Sequence, residues 1–178
     1  MIPKKCLNIR LIQLLAASML EGNRTYDELK VKNVLKHVNL NVPEAIKFGG
    51  VQTRDMVEWR SEVFMESLIK SLYENIKNKW EEWTESDLNT QNLDMYIVLV
   101  ADSRTVLFVI QNKTDTVTLI DSHQHSAKKG AFIAITKFQK LKLLCQWYNE
   151  ILSKFYGSEP LLYELSFLYF NPVCKISE

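Results

Sequence analysis

MYIVLVADSRTVLFVIQNKTDTVTLID, residues 95–121, contains three short runs rich in β-branched and aromatic residues: Met95 to Ala101, Thr105 to Gln111 and Val117 to Asp121. Such side chains suit a pleated, half-buried surface, so each run predicts a strand. The runs are separated by Asp102-Ser103-Arg104 and by Asn112-Lys113-Thr114-Asp115, whose residue types favour tight turns. Turns this short join antiparallel neighbours, because a parallel pair needs a crossover of a dozen residues or more.

On the carboxyl side the polar loop Gln124 to Gly130 leads to a fourth predicted strand, Ala131 to Thr136. A helix is expected from Lys137 to about Tyr156, stopped by Gly157 and Pro160, and a last strand from Leu161 to Phe170 before Asn171-Pro172. On the amino side, Leu7, Leu11, Leu14, Leu15 and Ser18 or Met19 recur at helical intervals up to Gly22 and Asn23. A shorter helix is expected from about Tyr26 to His37, capped by Thr25, with Leu29, Val34, Leu35 and Val38 inward. Pro43 and Gly49-Gly50 punctuate the next stretch. From Thr53 to about Trp83 there is neither Gly nor Pro, and Val57, Phe64, Leu68, Leu72, Ile76 and Trp80 form a helical stripe, predicting one long helix or two abutting ones. The segment Thr84 to Asn92 is polar and reads as a loop. The expectation is a single α+β domain over residues 1–178, with amino-terminal helices packed on a mostly antiparallel sheet and one late helix.

Composition narrows the function. The chain has 178 residues, 47% of them hydrophobic, with 22 basic against 21 acidic side chains. This is enough apolar material for a core and offers no uniform positive field for nucleic acid. The longest apolar runs have about six residues against the roughly 20 that a membrane helix needs, so no membrane association is expected. Three cysteines, Cys6, Cys145 and Cys174, lack the short spacings of a zinc cluster and form no even disulfide set. A reducing compartment, cytoplasm or nucleus, is therefore expected, and the Asn-X-Thr patterns at Asn23 and Asn112 are read as chance.

Two of the three histidines fall within Asp121-Ser122-His123-Gln124-His125. In one reading His123 and His125 alternate onto one face and ligate a metal, as the His-x-His of barrel amidohydrolases does. Such a barrel needs about 200 to 250 residues, whereas 178 − 125 = 53 follow His125. In the other reading Asp121 and His123 project to one side, and the carboxylate holds the imidazole in one tautomer. That pair is the base half of a triad. Cys6, at the start of the first amphipathic helix, supplies a nucleophile, since a helix N-terminus stabilises a thiolate.

A Cys opening an amino-terminal helix, then apolar-Ile120-Asp121-Ser122-His123, a short polar loop and Gly130-Ala131, resembles the herpesvirus large-tegument-protein deubiquitinases and their relatives in mobile elements. The resemblance implies a papain-like cysteine protease acting on ubiquitin or a ubiquitin-like tail. In it Cys6 is the nucleophile, His123 the base and Asp121 the orienter, and no cofactor is required. One departure stands out. The family places a Gln upstream of the nucleophile, and none occurs in Met1 to Lys5. A catalytically inactive interaction domain of the same fold is accordingly the second reading, and a metal-dependent hydrolase using the His-x-His pair the third.

Other residues have structural expectations. Cys145 lies among Leu141, Leu144 and Tyr148 and is assigned to the core, and Cys174 to a frayed tail. His37 is expected at a helix C-terminus, where its charged form is favoured. Trp80 and Trp83 are assigned to the core in preference to a protein-binding surface. Lys128 and Lys129 are too few for a nucleic-acid site. His125 is read either as facing solvent or as touching an entering substrate chain.

Overall fold

The computed structural model describes residues 8–89, 93–127 and 129–171. Cys6, Leu7, Lys128, Pro172 and Cys174, and the end of the expected polar loop at Gln91 and Asn92, lie outside the described residues. The chain forms two compact units, one reaching Val57 and including Asn171, the other Glu58–Phe170. Among the described residues no helix is long and apolar enough to cross a membrane.

In the first unit, α1 runs unbroken over Ile9–Val31, and α2 covers Val42–Phe48. The expected stop at Gly22-Asn23 does not occur. A glycine inside a helix costs only about 1 kcal/mol, and Arg24 spans the site with ion pairs to Glu21 at 2.8 Å and Glu28 at 3.9 Å. Thr25 is therefore interior to a helix and caps none. The chain leaves α1 through Lys32 and Asn33, the latter at φ 53°, which Asn tolerates better than most residues. His37 consequently follows the helix and does not cap it, while Val34 and Val38 are exposed and do not face inward. Asn41 and Glu44 form a reciprocal capping box that starts α2, placing a helix where punctuation was expected.

The second unit is built on a six-stranded sheet in the order β1-β6-β2-β3-β4-β5. The strands are β1 Met56–Phe64, β2 Met95–Ala101, β3 Arg104–Gln111, β4 Thr116–Asp121, β5 Phe132–Lys137 and β6 Tyr163–Phe170. The pairs β2–β3, β2–β6, β3–β4 and β4–β5 are antiparallel. Helix α3 spans Leu68–Thr84 and α4 spans Leu141–Tyr156. Helices and a mainly antiparallel sheet make the fold α+β.

The expected long helix over Thr53–Trp83 is instead β1 followed by α3. Glu58, Arg60 and Glu62 alternate with Val57, Trp59 and Val63, a two-residue period that the helical stripe concealed. Only its second half is helical, and there Leu68, Leu72, Ile76, Trp80 and Trp83 are buried.

Register brings Ile97, Phe108 and Phe167 side by side, and likewise Leu99, Val106 and Leu165. Each of these six is at most 2% exposed, and burial of such a side chain contributes about 2 kcal/mol. The same face continues through Val117 and Leu119 to Asp121, all buried. A carboxylate thus ends a row of core positions. The Asn149 side-chain amide donates to the Ile69 carbonyl at 3.2 Å, tying α4 to α3.

Candidate active site

Asp121 is the last residue of β4 and is 1% exposed. A carboxylate buried to that extent requires donors. Its Oδ1 accepts the His123 backbone N–H at 2.8 Å and lies 2.7 Å from His123 Nδ1. Two residues apart on a strand would bring these side chains to one face, but β4 has already ended at Asp121. They meet through a turn in which the aspartate side chain bonds the backbone two residues on. Capping the turn and orienting the imidazole are therefore done by the same oxygen.

A carboxylate accepts only, so Nδ1 carries the proton facing it and Nε2 of the neutral ring keeps its lone pair. Among the described residues no hydrogen bond engages His123 Nε2. The His123 side chain is 30% exposed, so this ring is within reach of a reacting group.

His125 has neither expected role. Its side chain is 3% exposed and packs against Phe132, Phe155 and Tyr156, with ring centroids at 5.0, 5.8 and 5.5 Å. Burial pushes its pKa below the ordinary imidazole value, the attraction of Asp121 opposing that effect. His125 Nδ1 lies 2.9 Å from the Tyr156 hydroxyl, and Nε2 lies 3.4 Å from Asp121 Oδ2 without completing a hydrogen bond. The two imidazoles thus approach opposite oxygens of one carboxylate. Among the described residues no group of three His, Cys, Asp or Glu side chains is arranged to hold a metal ion.

Tyr156 was not legible as a site residue because it comes from the far end of α4. Gly157 ends that helix at φ 59°, with Gly157 N–H donating to Ser153 O and Ser158 N–H to Leu152 O. The Ser158 hydroxyl donates to the Asp102 carboxylate in the β2–β3 turn. From the start of β3, directly after that turn, Arg104 places its guanidinium 3.8 Å from the Tyr156 ring centre. Burial, then the charge of Asp121, raise the Tyr156 pKa above that of a free phenol, keeping the hydroxyl protonated.

Cys145, 1% exposed within α4, has its thiol pushed up to about 12 by burial, which matches the core role expected for it. Trp80 and Trp83 are likewise buried, at 9% and 0% exposure. Gly130-Ala131 directly precede β5, and Lys129 O accepts the His125 backbone N–H at 2.8 Å, closing the loop around the site.

No family model matches the chain, and no curated protein does. Among solved structures it is similar to the ubiquitin-specific protease encoded by a murine cytomegalovirus tegument protein, solved with a ubiquitin-based suicide substrate. That likeness has a TM-score of 0.45 and 14% identity, covering 88% of this chain and 65% of that one.

Proposed function

We propose that this chain is a cysteine peptidase of the deubiquitinase type. The observation that carries the proposal is the buried Asp121 carboxylate 2.7 Å from His123 Nδ1, with no hydrogen bond to the other side of the ring among the described residues. In the proposed reaction His123 Nε2 takes the proton of the Cys6 thiol, and the thiolate attacks the carbonyl carbon of the bond after a ubiquitin-like tail. The imidazolium, stabilised by Asp121, returns the proton to the departing amine. Water then hydrolyses the thioester with His123 again acting as base. Cys6 enters through the sequence alone, as does the ubiquitin-like substrate, which rests on the resemblance of Asp121-Ser122-His123 and Cys6 to the tegument deubiquitinases.

The test is a ubiquitin probe bearing a carboxy-terminal electrophile. It should form a covalent adduct with the wild-type chain and none with Cys6→Ser or His123→Ala. An adduct retained in Cys6→Ser would overturn the assignment of the nucleophile. A folded wild-type chain that is never labelled would favour the inactive interaction domain.

A further inference from the structure

Asp121 is approached from two sides, and its second side has no place in the triad. Oδ1 serves His123, while Oδ2 faces His125 Nε2, the nitrogen that lacks a hydrogen-bonded partner among the described residues. Oδ2 can only accept, so the 3.4 Å approach favours the tautomer with its proton on Nε2, which leaves Nδ1 as an acceptor. In that tautomer the Tyr156 hydroxyl, 2.9 Å from Nδ1, donates there. Another neighbour, the Gln124 carbonyl at 3.2 Å, competes for the same single proton over a longer distance. Surrounding rings exclude water from His125, so neither nitrogen has an easy alternative partner.

We infer that Tyr156 and His125 are positioning residues for the base: Tyr156 O–H fixes the His125 tautomer, and His125 Nε2–H fixes the Asp121 carboxylate that orients His123. The inference deepens the proposed peptidase reading, and its catalytic consequence rests on that reading. The geometry itself does not. The relay joins three separate elements, β4 through Asp121, the following loop through His125, and the C-terminal turn of α4 through Tyr156. Arg104 and the Ser158–Asp102 bond hold that turn against the β2–β3 hairpin.

Nitrogen-15 NMR of the imidazoles tests the relay without requiring any turnover. In the wild-type chain His125 should show the Nε2–H tautomer and His123 a low-field Nδ1–H resonance. Tyr156→Phe keeps the ring under Arg104 and removes only the hydroxyl. It should mix the His125 tautomers and broaden the His123 signal. His125→Gln, which retains an amide donor toward Asp121, should preserve that signal, and His125→Leu should lose it. If the wild-type chain labels with the ubiquitin probe, Tyr156→Phe should lower kcat about tenfold with KM nearly unchanged. An Nδ1–H tautomer of His125 in the wild type would overturn the inference, as would a His123 resonance unaffected by both Tyr156→Phe and His125→Leu. Failure of the probe with these signatures intact would count against the peptidase reading and leave the relay standing.

Discussion

Helices α1 and α4 have similar amphipathic spacing and opposite fates. The 23 residues of α1 include one buried residue, Leu29, whereas the 16 residues of α4 include seven. In α1, Ile9, Ile12, Leu14 and Leu20 are all exposed by half or more. Leu141, Leu144, Cys145, Tyr148 and Leu152 of α4 are enclosed. Apolar residues at three- and four-residue intervals specify a helix and a face, but a second surface is needed to bury that face. The base half of the proposed site belongs to the enclosed region. The proposed nucleophile stands just ahead of α1 in the sequence.

If that contrast is right, the largest effect belongs to the buried carboxylate. Asp121→Asn should leave folding intact and cut kcat/KM by about 10³-fold or more, because an amide no longer enforces the Nδ1–H tautomer or stabilises the imidazolium. Steady-state hydrolysis of a ubiquitin-tail substrate measures it. Next, Leu152→Ala in α4 should cost about 2 to 5 kcal/mol in denaturant unfolding, while Leu14→Ala in α1 should change stability by about 0.5 kcal/mol or less. Equal losses at both positions would break the comparison. Gly157→Ala should cost about 1 kcal/mol, since a left-handed residue with a Cβ is strained there.

The smallest effect is a pH dependence. The His125 pKa is lowered on folding, so the unfolded chain binds that proton more tightly. The contribution is fully present above the unfolded value of about 6.5 and is lost as pH falls through the lower folded value. Thermal melts between about pH 7.5 and 5 should therefore fall more steeply for the wild type than for His125→Gln.

Legibility followed the physics of each segment. Strand β2 coincides with its sequence reading, and β3 and β4 begin one residue early, because alternating aliphatic side chains between turn residues admit few other structures. β1 was hidden because the segment lacks Gly and Pro, and Val57 and Phe64 fall seven apart, in phase with the true helix behind them. The helix runs on through Gly22 because one interior glycine costs only about 1 kcal/mol, too little to stop a 23-residue helix. Within the site, Asp121 and His123 could be paired from their spacing, although the joining geometry is a turn and not a strand. Tyr156 and the inward position of His125 depend on where α4 ends in space. No local pattern encodes that.

The central claim is that His123, oriented by Asp121, activates the Cys6 thiol. Its most direct test is the pH dependence of iodoacetamide alkylation at Cys6, read by peptide mass spectrometry in the wild type and in His123→Ala. Pairing with the imidazole should keep Cys6 reactive well below the ordinary thiol pKa of about 8.5, with that low-pH reactivity lost in His123→Ala. A Cys6 profile centred near the ordinary value and unchanged by the substitution would contradict the account.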